Sequence, residues 1–125
     1  MGKRVLVIED NRDNLKLITY VLGRGGYEVD SADDGEKGVE MAAAGDYEFV
    51  VMDINLPGID GLEATRQIRS SERGKKVPII AITSFAMTGD RDKVIAAGCN
   101  GYFEKPIDPL TLMNSINEII GREKK

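Results

Sequence analysis

The chain has 125 residues, a formal net charge of −4, 42% hydrophobic residues and 30% charged residues, the makeup of one ordinary globular domain with one core. No apolar run approaches the ~18 residues of a transmembrane helix, and the acidic balance gives no overall footprint for nucleic acid, whose binding rests largely on basic phosphate contacts. Histidine is absent, which excludes His-based zinc sites, Ser-His or Cys-His catalysis, and any phosphohistidine carried by the chain itself.

Met1 to Leu6 lead straight into a strand without a signal-peptide pattern, and Leu6 stands where a myristoylation motif wants Ser or Thr. The lone Cys99 cannot form an internal disulfide and reads as a buried filler in a reducing compartment. A cytoplasmic location is therefore expected, with no membrane partner.

Val5 to Ile8 form the first strand-like run, ending in Glu9-Asp10. A helix starting near Asn11 or Asp13 carries Leu15, Ile18 and Leu22 at helical spacing and is expected to stop at Gly23. Glu28-Val29-Asp30-Ser31 alternates and suits an edge strand. A second helix follows Asp33-Asp34 and reaches Gly45 through Val39 and Met41 to Ala44. Phe49 to Met52 are apolar and end in Asp53. The third helix is capped by Asp60, with Glu63 three residues later as in a capping box, and runs to about Ser70. A loop with Gly74 and Pro78 leads to Ile79 through Ile82, which end in Thr83.

The fourth helix, from Thr88 or Gly89 to Ala97, is short, poor in apolar anchors and bracketed by Gly89 and Gly98, so its local stability should be low. Tyr102-Phe103 precede Lys105. The last helix has Asp108 as cap, Pro109 at its first position, a stripe of Leu112, Ile116, Ile119 and Ile120, and Gly121 as its stop. Gly35, Gly45, Gly98 and Gly101 read as caps and turns. Gly23-Arg24-Gly25-Gly26 follows a helix rather than a strand and is no dinucleotide or P-loop fingerprint.

Strands alternating with helices predict a parallel sheet covered on both faces. The unbroken apolar runs at 5–8, 49–52 and 79–82 are its central strands. All strands of such a sheet end at one edge, where open α/β folds bind ligands. Glu9, Asp10, Asp53, Thr83 and Lys105 would then meet there. Magnesium takes oxygen ligands and commonly binds one or two carboxylates plus phosphate oxygens. Asp10 and Asp53 can supply these, with Glu9 in support and the backbone carbonyl of Asn55 as a further ligand. An Asp so placed can attack phosphorus and form an acyl phosphate. Asp53 is the candidate, with Lys105 and Thr83 facing the phosphoryl oxygens.

Glu9-Asp10-Asn11, the segment from Met52 to Gly61, Thr83-Ser84 and Lys105-Pro106, at intervals that match, resemble the receiver domain of two-component response regulators. The resemblance covers residues 3–121 as the core of a single domain spanning 1–125. It implies a flavodoxin-like doubly wound (βα)5 fold with strand order 2-1-3-4-5, and a cis bond at Lys105-Pro106. It further implies phosphorylation of Asp53, magnesium held by Glu9, Asp10, Asp53 and the carbonyl of Asn55, catalytic contacts from Thr83 and Lys105, and Thr83 and Tyr102 as switch residues. The donor would be a sensor histidine kinase or a histidine phosphotransfer protein. The output would be a downstream protein target reached through the face of the fourth helix, fifth strand and fifth helix, with no direct nucleic-acid contact.

Such a domain is a switch that catalyses only its own phosphorylation and dephosphorylation. A freestanding receiver is expected over a fragment, because the sequence begins with Met1 and ends four residues beyond the expected last helix, and Phe85-Ala86-Met87-Thr88-Gly89-Asp90 and Gly98-Cys99 resemble single-domain regulators of the DivK type. Phe85 could screen the acyl phosphate from water and slow its hydrolysis. Two rivals are an aspartyl-phosphate phosphatase of the haloacid dehalogenase kind, against which Asn55 stands where a second Asp is needed, and a receiver that binds partners without phosphorylation.

Overall fold

The computed structural model describes residues 3–83 and 88–123, the latter without the side chains of residues 88–91 and 122–123. Phe85, Ser84 and the rest of the segment from Ser84 to Met87 lie outside the described residues. The elements in chain order are β1 (Lys3–Ile8), α1 (Arg12–Arg24), β2 (Tyr27–Ala32), α2 (Gly35–Ala44), β3 (Val50–Asp53), α3 (Gly61–Ser70), β4 (Ile79–Thr83), α4 (Thr88–Ala97), β5 (Gly101–Glu104) and α5 (Leu112–Glu123).

The strands pair in parallel in the order β2-β1-β3-β4-β5. Successive strand residues point to opposite faces, and the central strands are apolar at nearly every position because both faces are covered. Val5, Val7, Val51, Ile80 and Ile82 pack with Ile18 and Leu22 of α1 and Ile116 and Ile119 of α5. Leu6, Ile8, Val50, Met52, Ile79 and Ala81 pack with Ala42 of α2, Ala64 and Ile68 of α3, and Val94 of α4. Full burial of each large aliphatic side chain contributes roughly 1.5–3 kcal/mol. The alternating β2 is an edge strand, as its sequence suggests, and β5 is the other. No described helix is long and apolar enough to cross a membrane.

Short polar side chains start the helices. Asn11 accepts from the Asn14 N–H, Asp34 from Lys37 and Asp60 from Glu63, each satisfying one backbone donor that the first turn leaves open. Two expected stops differ. α1 passes through Gly23, where a side chain would meet only open space, and closes instead at Gly25, whose N–H bonds to the carbonyls of Leu22 and Val21 before Gly26 turns at φ +93°. α5 runs through exposed Gly121 to Glu123. It also starts later than expected, because Asp108 Oδ1 accepts from Leu110 N–H at 2.9 Å and the Asp108 carbonyl accepts from Thr111 and Leu112, making a turn ahead of the helix. An interior glycine costs a helix about 1 kcal/mol without ending it.

Candidate functional site

The parallel register sets the site. β3 aligns Asp53 with Ile82, and β4 aligns Thr83 with Glu104, so the polar residues closing β1, β3, β4 and β5 share the carboxyl edge of the sheet. Backbone bonds fix each one: Glu9 N–H to the Ala32 carbonyl at 3.0 Å, Ile54 N–H to Ile82 at 3.0 Å, and Lys105 N–H to Thr83 at 2.8 Å. The last bond brings the chain beyond β5 back across the end of β4, where the Lys105–Pro106 bond is cis.

Glu9, Asp10 and Asp53 each offer a carboxylate oxygen, all within 4.8 Å of one another. Glu9 and Asp53 are each only 1% exposed, whereas Asp10 faces solvent. The Lys105 ammonium lies 3.1 Å from Asp53 Oδ2 and 3.8 Å from Glu9 Oε1. Asp53 Oδ1 accepts from the Asn55 N–H at 3.0 Å, and Glu9 Oε2 from the Asn11 N–H at 3.2 Å. Glu9 Oε1 is buried without a hydrogen-bond partner.

A buried acceptor left bare costs about 1–3 kcal/mol, more when charged. Here the cost appears as a proton held tightly: burial, aided by the neighbouring Asp53 carboxyl and only partly opposed by the Asn11 N–H and Lys105, pushes the Glu9 carboxyl up to about 8. One lysine is too little positive charge for three crowded carboxylates. The hard-oxygen donor set and the bare oxygen together fit a small divalent cation such as magnesium.

Thr83, 6% exposed, ends the strand between Asp53 and Lys105. Tyr102 stands beside Ala81 on β5 and is half-buried against the α2–α3–α4 face of the sheet, the face toward which alternation also directs Thr83. Asn55 occupies the exposed turn beside Asp53. The structure thus gathers Glu9, Asp10, Asp53 and Lys105 directly, with Thr83 and Asn55 adjoining and Tyr102 farther along β5.

Gly61, the last residue of the Met52–Gly61 segment, has a role that the sequence does not mark. A Cβ there would lie 2.5 Å from the Asp53 carbonyl oxygen and 2.7 Å from Ile54 Cα, so the return of α3 against the end of β3 requires a bare backbone. Gly35 and Gly101 are likewise more than turns: a Cβ would meet Ile59 at 2.6 Å and Ile119 at 2.7 Å respectively. A close approach of this kind leaves no mark in a single sequence beyond the glycine itself.

A family model described as the response regulator receiver domain matches residues 5–117. The polar-differentiation response regulator DivK of Brucella ovis is 34% identical over 121 residues, covering 97% of this chain and 98% of its own length. Among solved structures, the receiver domain of a sensor histidine kinase from Pseudomonas aeruginosa PAO1, with a magnesium ion coordinated in its active-site cleft, is 40% identical with a TM-score of 0.88, covering 97% of this chain and 99% of that one. The chemotaxis response regulator CheY4 of Vibrio cholerae is 25% identical with a TM-score of 0.90, covering 95% and 99% of the two chains.

Proposed function

The chain belongs to the response regulator receiver family of two-component signalling, and from that premise we propose that Asp53 is its phosphoacceptor and that phosphorylation switches its protein contacts. The observation that carries this reading is the placing of Asp53 between the Lys105 ammonium, 3.1 Å away, and a carboxylate cluster that includes a buried oxygen of Glu9 with no hydrogen-bond partner.

The donor is a phosphohistidine on a sensor kinase or phosphotransfer protein, or a small acyl phosphate. A carboxylate oxygen of Asp53 attacks the phosphorus; from phosphohistidine the phosphorus–nitrogen bond breaks and the imidazole leaves with the electron pair and takes up a proton, and from an acyl phosphate the phosphorus–oxygen bond breaks and the carboxylate leaves with the electron pair. The Asn55 N–H and the Lys105 ammonium hold the Asp53 carboxylate in place before the attack. During transfer Lys105 and the Thr83 hydroxyl face the phosphoryl oxygens, stabilising charge through groups already in position. Glu9, Asp10, Asp53 and the carbonyl of Asn55 would hold magnesium, which when bound would neutralise charge on the phosphoryl oxygens. Water attack on the acyl phosphate in the same setting returns the free carboxylate, so the domain turns over only its own modification.

The added group brings roughly −1.5 to −2 charges. Thr83 moves toward it, Tyr102 follows into the space on the shared face of β4 and β5, and the α4–β5–α5 surface changes. A downstream protein need only bind that altered surface better by about 1–3 kcal/mol for the domain to act as a switch. The likeness to a receiver domain within a sensor histidine kinase supports a second arrangement, in which the same chemistry serves a receiver joined to its kinase.

Incubation with acetyl phosphate and magnesium should add one phosphoryl mass to the wild-type protein and none to Asp53→Asn. Equal modification of both would remove Asp53 from its role.

A further inference from the structure

Arg69, half-buried in the last turn of α3, donates from all three guanidinium nitrogens to oxygens on the connections beyond α3 and α4. Nε and Nη2 donate to the Gly98 carbonyl at 3.0 and 2.8 Å, Nη1 donates to the carbonyls of Gly74 and Val77 at 2.8 and 2.6 Å, and Nη2 also donates to Asn100 Oδ1 at 2.8 Å. Asn100 in turn accepts from the Ile79 N–H on the same Oδ1 at 2.8 Å and donates its own N–H to the Ile79 carbonyl at 2.7 Å. One side chain therefore ties the end of α3 to the starts of β4 and β5, the two strands that lead to Thr83 and Lys105.

The Gly98 carbonyl it grips belongs to the residue that closes α4. Gly98 N–H bonds to the Ile95 carbonyl at 3.0 Å and Cys99 N–H to the Val94 carbonyl at 3.2 Å, with Gly98 at φ +117°. This is a Schellman closure, and a Cβ on Gly98 would lie 2.9 Å from Arg69 Cγ. Among the described side chains of α4, Val94 and Ala97 are buried while Asp92, Lys93, Ile95 and Ala96 are exposed. Val94, Ala97 and the Schellman closure hold the C-terminal half of α4 in place. Its first residue, Thr88, follows Thr83 closely along the chain.

We infer that Arg69 is the fulcrum of α4: a positioning residue that fixes the C-terminal end of this helix to the bases of β4 and β5, so that a rearrangement starting at the Asp53 end turns the helix about Gly98 instead of sliding it. The proposal rests on the receiver reading only for the source of that rearrangement. Lysine cannot replace the guanidinium, because a single ammonium does not present the fixed fork that reaches acceptors on both the α3–β4 and α4–β5 connections.

The test is hydrogen-exchange mass spectrometry on wild type, Arg69→Met, Asn100→Ala and the control Arg73→Met, an exposed arginine on the connection that follows α3. Each is measured with and without acetyl phosphate and magnesium, and modification of Asp53 is scored by intact mass in the same samples. In wild type and the control, the amides of Gly98, Cys99 and Asn100 should keep their protection in both states, with phosphorylation altering exchange toward the start of α4. In Arg69→Met these three amides should exchange roughly tenfold faster before phosphorylation, and the phosphorylation-dependent change should extend through Gly98. Asn100→Ala, which removes one acceptor and keeps the arginine, should show a smaller shift of the same kind and serves alone if Arg69→Met does not fold. Unchanged protection in the folded variants, or a wild-type response as large at Gly98 as at the start of α4, overturns the fulcrum. Absence of Asp53 modification in wild type sinks the receiver reading instead, and the unphosphorylated comparison then decides the clamp by itself.

Discussion

Two charged groups sheltered from solvent, at opposite ends of the sheet, are treated in opposite ways. At the amino end, Arg69 places its donors on four acceptors. At the carboxyl end, Glu9 is almost wholly buried with one oxygen bare and a carboxyl pushed up to about 8. A satisfied buried network rigidifies, whereas a half-satisfied one is held at a cost. The first end is satisfied within the fold; the second leaves one carboxylate oxygen without a hydrogen-bond partner, the opening that the proposed cation would fill.

Removing the satisfied network should have the largest effect. Arg69→Met strands the carbonyls of Gly98, Gly74 and Val77 and should lower unfolding free energy by about 3 kcal/mol, read as a shift in urea midpoint at constant slope. A loss under about 1 kcal/mol would erase the contrast between the two ends. Gly61→Ala comes next, because its Cβ would press on the Asp53 carbonyl oxygen and Ile54 Cα, backbone atoms that cannot swing aside. A loss of about 2 kcal/mol is expected, together with slower phosphorylation because the end of β3 must shift.

At the unsatisfied end the sign should reverse. Glu9→Gln in metal-free protein should raise stability at pH 8 and above by about 1 kcal/mol, since a neutral amide replaces a crowded buried carboxylate, while weakening magnesium binding. The pH dependence of the wild type follows from the same group. Its folded-state value of about 8 lies above the ordinary 4.5, so the native state holds a proton that the unfolded chain releases. The stability it contributes is full below about pH 4.5 and is lost as pH rises through about 8. Metal-free urea midpoints should therefore fall across that window, and saturating magnesium, which requires the carboxylate, should flatten the decline and tighten in affinity with rising pH. A midpoint that rises over this window without metal would show that Glu9 is not strained. Smallest of all, Arg66→Ala breaks an exposed pair with Glu63 at 3.3 Å and should change stability by less than about 0.5 kcal/mol.

Much of the fold could be read because its signals are local. The runs at 5–8, 49–52 and 79–82 are apolar on both faces and lie in the middle of the sheet, and Asn11, Asp34 and Asp60 cap helices within three residues of themselves. The misread ends of α1 and α5 came from treating an exposed interior glycine as a stop. The gathering of Glu9, Asp10, Asp53 and Lys105 was legible because parallel strands bring all their C-terminal residues to one edge. The bare oxygen of Glu9 was not, since it depends on what surrounds the side chain. Nor was the role of Arg69: its acceptors on Gly98 and Asn100 lie 29 and 31 residues away, and backbone carbonyls carry no residue-type signal. The expectation that Phe85 shields the acyl phosphate lies outside the described residues.

The most direct test of the central claim, that Asp53 takes a phosphoryl group in a cation-dependent pocket with Lys105, is to trap the acyl phosphate. Borohydride reduction after incubation with acetyl phosphate should convert residue 53, and no other, to homoserine, only with magnesium present, and in far lower yield for Lys105→Ala. Homoserine at another position, or a yield at residue 53 that is indifferent to magnesium and to the lysine, would contradict it.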